Sequence, residues 1–399
     1  MTFPAYPKTE EQKKLLALAG ELADTFAKRA AEKDWAGIFP YENYDDLRAS
    51  GYLTMTVPKE YGGMGASLLD VSLAQQRLAQ GDASTALAAS MHLSNIAKMA
   101  ENAAGTGHNA FFARVCQAVI EEGALLNAAL SEPATGSPSR GGLPTTKAVR
   151  QPDGSWVVTG RKTFTTGSPA LYFFLTSCAI EDTTDLPSLN AERGSFLIPR
   201  SAKGVSIKET WNSVGMRGSG SHDLILEEVH LEPEAYMENQ LPSNPAAKHR
   251  LSAWSFPTAA VYLGIAEAAR NEAVKFAQKR RPNSLKQPIT TLPHIQEKMA
   301  KIELALLQSK AVFFGVAEQF TIDDTSVPAS QFAAAKYLVT NHAVEIVDLA
   351  MRLVGGASLS LSFPLQRYYR DVRAGLHHPP MDDVTITMLA NDAFATPEE

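Results

Sequence analysis

Twice along this chain the spacing of the apolar residues changes, and the two changes divide it into three blocks. Between about residues 125 and 235 they alternate or run in short β-branched stretches, as in SWVVTG, YFFLTSCAI, GSFLIP, GVSIKET and HDLILEEVHL. On either side they recur at spacings of three and four. A helical stripe exposes much of its apolar face if it is forced into a sheet. The fold must therefore pack one group of strands with two groups of helices. This gives an α+β fold class with a helical domain at 1–124, a β-barrel or sandwich domain at 125–235 and a helical bundle at 236–399.

The first block carries one stripe of Leu15, Leu18, Leu22 and Phe26. A short helix over Tyr44 to Ser50 can stop at Gly51, and PKEYGGMG (58–65) reads as a loop. Ser67 to Gln80 is helical. Asp82 or Ser84 then caps a helix that carries Met91, His92, Leu93 and Ile96. In the middle block, Pro152-Asp153-Gly154 marks a hairpin turn between KAVRQ and SWVVTG. In the last, the spacing predicts helices at Trp254 to Lys279, Ile295 to Gln319 and Ser330 to Leu353, with a shorter one near Leu365 to Arg373. Short connections between long helices suit an antiparallel bundle.

Charge narrows the partners. With 37 Lys+Arg against 43 Asp+Glu the net charge is −6, which removes the non-specific attraction to nucleic acid that basic proteins use. No run of apolar residues is long enough to span a bilayer, and MTFPAYPKTEEQKK lacks the basic-then-apolar order of a secretory leader. The expectation is a cytoplasmic protein without a membrane partner. Two cysteines, Cys116 and Cys178, sit in apolar surroundings and suit buried small hydrophobes; they make neither a disulfide framework nor a four-ligand zinc site. No metal is expected.

Four segments could carry chemistry. SEPATGS (131–137) is a small-residue loop whose backbone N–H groups could approach an anionic or ring-carbonyl ligand. GRKTFTTGS (160–168) places an aromatic before two hydroxyls at a strand end, a pattern that can stack on a planar cofactor. WNSVGMRGSGSHD (211–223) holds three glycines and an arginine, and Gly355-Gly356 follows a long helix. Each alone also fits an ordinary turn or helix cap.

In this order the segments resemble the acyl-CoA dehydrogenase superfamily along nearly the whole chain. PKEYGGMG, SEPATGS, GRKTFTTGS, GMRGSGSHDLILEEVHLEP, LVGGAS and FPLQRYYRDVRA all stand in family order. The resemblance implies that family's fold with its four-helix bundle, FAD as cofactor, a homo-oligomer (a tetramer, or at least a dimer), and a small-molecule substrate. Leu130, Ser131, Gly136 and Ser137 would touch the flavin and its diphosphate, with Ser137 also meeting substrate. Phe164 would stand against the isoalloxazine where the family usually has tryptophan, and Thr165 and Thr166 beside its reactive edge. Arg281, with Arg280 an equal candidate, matches the arginine that meets the diphosphate. Arg352, Gly355 and Gly356 match the helix end that receives the adenine half from a neighbouring subunit. Here Arg352 stands for a glutamine, and the usual GGxG reads GGAS.

The resemblance further implies α,β-dehydrogenation of an acyl-CoA thioester, with a carboxylate taking the α-proton as hydride passes to flavin N5. The position of that glutamate falls on Pro379, and the alternative position near Trp254; neither is acidic. Asp382 or Asp383 would reach it only after a shift in register. His378 adjoins the missing position, and flavin monooxygenases on this fold are similar in placing a histidine there. His92 lies on a helix that borders the substrate cavity in this fold. His378 and His92 are thus the catalytic candidates. The alternatives to dehydrogenation are a monooxygenase that takes reduced FMN or FAD as co-substrate, and a non-catalytic flavin-binding protein. The partner would be an electron-transfer flavoprotein for dehydrogenation and a flavin reductase for the monooxygenase, with an acyl-CoA or an aromatic or other small organic substrate.

Overall fold

The computed structural model describes residues 5–106, 109–135, 142–182, 184, 186, 192–237 and 245–395. The order of elements is helical, then β, then helical. The first block holds α1 (Glu10–Ala36), α2 (Tyr41–Ala49), α3 (Leu68–Ala79), α4 (Ala83–Thr106) and α5 (Asn109–Glu122). Thr9 caps α1, and its stripe buries Ala19, Leu22, Ala23, Phe26 and Ala30. Asp82 is the residue at the head of α4, accepting from Ser84 N at 3.3 Å.

The middle block supplies β1 (Leu125–Ala129), β2 (Lys147–Arg150), β3 (Trp156–Thr165), β4 (Leu171–Glu181), β5 (Arg193–Pro199), β6 (Val205–Lys208), β7 (His222–Leu231) and β8 (Tyr236–Met237). They form one sheet in the order β6-β7-β3-β2-β4-β5-β8. β1 and β2 share one edge of β4 and both run parallel to it, β1 along its first half and β2 along its last residues. The alternation read in β3 and β7 is what allows Trp156, Val158, Leu224, Leu226 and Val229 to be buried together.

The last block holds α6 (Pro245–Ala253), α7 (Thr258–Lys279), α8 (Pro293–Ile322), α9 (Ala329–Val354), α10 (Leu365–Asp371) and α11 (Asp382–Phe394). One helix from Trp254 to Lys279 was expected. Instead α6 ends at Ala253 and α7 begins at Thr258, because Pro257 lacks an N–H and can stand only at a helix start. α5 and α11 were not anticipated. α11 is apolar on its outer side, so its periodicity carries little contrast. Cys116 and Cys178 are buried free thiols.

The three blocks join near residue 371. Arg370 Nη1 donates to Asp34 Oδ1 at 3.0 Å and to Val214 O at 2.9 Å, while Met216 N donates to Asp371 Oδ1 at 2.6 Å. One arginine–aspartate pair thus ties the end of α1 and the 213–217 loop to α10. Burial pushes the Asp371 carboxyl up to about 7.

Candidate active site

The SEP loop is held from beneath by a buried charge pair. Glu132 Oε1 accepts from Lys162 Nζ at 2.6 Å, Thr146 N at 3.0 Å and Thr146 Oγ1 at 2.7 Å. Its Oε2 accepts from Thr145 N at 2.6 Å, Thr145 Oγ1 at 2.5 Å and Thr135 Oγ1 at 3.3 Å. Lys162 also donates to Ser177 O at 2.6 Å. Burial would raise the pKa of Glu132, but the Lys162 ion pair and the threonine donors outweigh it and hold the carboxyl well below the usual range. With both side chains fully enclosed, removal of either partner strands a charge in the interior. Nothing in the segment's own residues announces this; the single signal was a lysine at a strand position that faces inward.

Above this knot, Thr163 N donates to Ser131 O at 2.9 Å, which sets the SEP strand end beside the end of β3. Leu130 and Phe164 are both exposed there, Phe164 to 62%. Phe164 has φ of +55°, a left-handed conformation that costs a non-glycine residue about 1 kcal/mol. Its ring edge meets Trp211 at 6.0 Å between centroids. An apolar ring held outward by strained backbone suits a flat aromatic ligand. Thr165 and Thr166, unlike Phe164, are both buried. Thr165 Oγ1 has no partner among the described residues, and Thr166 Oγ1 pairs with Ser221 Oγ at 2.9 Å. The hydroxyl of Thr166 is thus committed within the protein. Gly136 and Ser137 lie outside the described residues.

The residues expected at the far end of the cofactor are on the bundle surface. Arg280 and Arg281 are exposed just past α7, and Arg280 borders a shallow concavity of about 360 Å³ with Phe276 and Phe363. Arg352 is held by Asp348 at 2.6 Å. Gly355 has φ of +74°, which requires glycine, and a Cβ at Gly356 would meet nothing. All five are open to a second body rather than enclosed by this chain.

The two histidines separate sharply. His92 is fully buried on α4; its Nε2 donates to Leu53 O at 3.0 Å, and its Nδ1 accepts from Leu126 N at 3.2 Å. Those partners assign the tautomer and use both nitrogens. The expected catalytic role therefore fails on geometry: no nitrogen is left to exchange a proton with a ligand, and burial pushes the pKa down to about 4.

His378 follows a 3₁₀ turn, Val372–His377, and makes no hydrogen bond among the described residues. Its ring lies 5.8 Å from that of Tyr262 on α7. Burial first, then the charges of Lys336 and His377, push its pKa down to about 4. Gly375 allows the approach, since a Cβ there would lie 2.9 Å from the Tyr262 ring. Tyr262 and Lys336, which sequence reasoning missed, are buried with no partner for Oη or Nζ among the described residues. A tyrosine in the apolar run TAAVYLGIA was the available signal.

At the two expected base positions stand Pro379 and a buried Trp254. Asp382 accepts from Asn341 Nδ2 at 3.1 Å, and Asp383 is exposed. Between α4 and the sheet runs a polar chain: Asn95 Nδ2 donates to Asn127 Oδ1 at 3.2 Å, and Asn127 Nδ2 to Thr166 O at 2.9 Å. Among the described residues no cluster of metal-ligating side chains occurs, and no helix is long and apolar enough to cross a membrane.

Comparison with known proteins agrees with the fold. The acyl-CoA dehydrogenase N-terminal, middle and C-terminal domain models match residues 9–108, 127–229 and 245–376. A candidate acyl-CoA dehydrogenase, YdbM, of Bacillus subtilis (strain 168) is 44% identical over 97% of this chain and 98% of its own. The amino sugar nitrososynthase DnmZ of Streptomyces peucetius is 30% identical over 94% of this chain and 91% of its own. The FMN-bound structure of TdsC, a dibenzothiophene monooxygenase from Paenibacillus sp. A11-2, superposes with a TM-score of 0.84. It is 25% identical and covers 96% of this chain and 99% of TdsC. The fold, the order of its motifs and these likenesses together place the chain in the acyl-CoA dehydrogenase family.

Proposed function

We propose that this chain is a flavin-dependent oxygenase, using reduced FMN or FAD from a separate flavin reductase on a small organic substrate bound beside Phe164. One observation carries the reading: Pro379 holds the place of the carboxylate base, and next to it stands His378, neutral and free of hydrogen bonds among the described residues. Dehydrogenation must take a proton from carbon, and an imidazole with its pKa pushed down to about 4 is a poor base for that. The same ring can hold a hydrogen bond to oxygen or water and relay a proton without resting as a cation. Bound flavin would supply the electrons for oxygen activation. Phe164 would support the flat ring system, Asn127 would fix the Thr166 backbone behind it, and Tyr262 would orient His378. The likeness to DnmZ and TdsC supports this class.

Acyl-CoA dehydrogenation is the second reading, favoured by the 44% identity to YdbM. An electron-transfer flavoprotein would then be the acceptor. Either way the chain is proposed to assemble with copies of itself, as a tetramer. Leu304 and Leu307 on α8, and Ile386 and Leu389 on α11, are 40–57% exposed and form apolar faces that a neighbour would cover.

The deciding experiment gives the purified protein reduced FMN and oxygen, and separately mixes the FAD-loaded protein anaerobically with a panel of acyl-CoAs. Oxygen uptake faster than that of free reduced FMN, with no bleaching by any acyl-CoA, is expected. Bleaching of the flavin by an acyl-CoA would replace the oxygenase reading with the dehydrogenase one.

A further inference from the structure

Met91, Asn95 and Lys98 follow one face of α4 at spacings of four and three. The first two meet Asn127, which is bonded to the carbonyl of Thr166, so this end of the face stands behind the strand that carries Phe164. Two turns on, about 10 Å away at 1.5 Å per residue, lies Lys98. Its Nζ donates to Ser255 Oγ at 2.7 Å, in a bond that solvent still reaches. Ser255 lies in the break between α6 and α7, just before the N-terminal end of the 22-residue α7.

The charge around Lys98 is unusual. Glu101, three residues on, is taken by Arg250 at 3.1 Å, and Arg250 also reaches Asp324 at 3.5 Å. Lys98 itself has no carboxylate partner among the described residues, only a hydroxyl. Its surroundings strip away enough water to push its pKa down to about 8. An ordinary surface lysine is fully hydrated, and an enclosed one is normally paired. Here the cation is crowded, reachable and without a counter-ion among the described residues, at the break between the end of α6 and the start of α7.

Resting on the reading of a small-molecule site beside Phe164, we infer that Lys98 and Ser255 form its acid-recognition end, so that the substrate is a small organic acid whose carboxylate lies about two helical turns from the reacting end. A neutral aromatic would leave the ammonium with its hydroxyl partner but no counter-charge, and a plain fatty acyl chain would lay hydrocarbon against it.

The test is calorimetric titration of the purified protein, with and without FMN, using 3-phenylpropionate, its amide and phenyl phosphate. Phenylpropionate should bind at least about tenfold more tightly than the amide, and Lys98→Met should abolish that preference. Lys98→Arg should keep it, and both variants should retain wild-type flavin affinity and melting temperature. Phosphate binding that also depends on Lys98 would support the anion site while widening its ligand class. Equal binding of acid and amide, no binding of any acid, or a preference that survives Lys98→Met would overturn the assignment. Flavin uptake and reduced-flavin oxidation are read separately, so the oxygenase reading can fail while acid binding succeeds, or the reverse.

Discussion

His92 and His378 have pKa values pushed down to the same level, about 4, yet the protein holds them in opposite ways. His92 lies in the first helical block and bridges two backbone groups, Leu53 O and Leu126 N, across the junction with the sheet. His378 lies at the end of the last block and has ring neighbours but no hydrogen bonds among the described residues. A depressed pKa reports only that burial disfavours the cation. Whether a nitrogen remains free decides between a structural pin and a proton-handling group.

The strongest way to break the comparison is His92→Ala. It leaves a cavity and two unpaired backbone groups, and should cost about 3–5 kcal/mol in denaturant unfolding. Activity per folded molecule should survive; selective loss of turnover would restore His92 to the mechanism. The pH dependence is nearly as large. An unfolded histidine gains its proton as pH falls through about 6.5, whereas folded His92 resists until about 4. Stability from this residue is therefore complete above pH 6.5 and declines by about 3 kcal/mol as pH falls toward 4. Comparing wild type with His92→Asn across that window should show the slope reduced in the variant.

His378→Ala should do the reverse, lowering turnover about a hundredfold with less than about 1 kcal/mol of stability lost. Unchanged turnover would make His378 part of a loop only. Phe164→Ala should weaken flavin binding about fivefold, roughly 1 kcal/mol, read by fluorescence titration, while leaving the backbone strain in place. The smallest effect is expected for Lys336→Met. Removing a cation that faces His378 should raise the acid limb of the pH–rate profile by about half a unit to one unit. The charges acting on that ring are Lys336 from α9 and His377 from the preceding turn, and the Tyr262 ring from α7 lies beside it; Asp371 at the end of α10 acts on Tyr262, and Asp382 on α11 acts on Lys336.

Much of the fold was legible because period is a local property: each helix and strand declares which face it buries. The site was legible only in outline. The Phe164 rim and the absence of a carboxylate at Pro379 could be read from motif order. Glu132 with Lys162, and Tyr262 with Lys336 and His378, could not, since these residues meet only after strands pair and helices pack. His92 shows the same limit from the other side. Its helix was correctly placed, but its hydrogen bonds come from two other segments.

By itself the sequence determined the α, β, α order, the family of motifs and the absence of a carboxylate at Pro379 and Trp254, because these depend on residue type and spacing. Tertiary structure alone decided which charges are locked, as in Glu132 and Lys162, and which are left open, as in Lys98. The physical reason is that solvation and hydrogen-bond partners belong to the surroundings of a group, and a linear order of residues does not contain them.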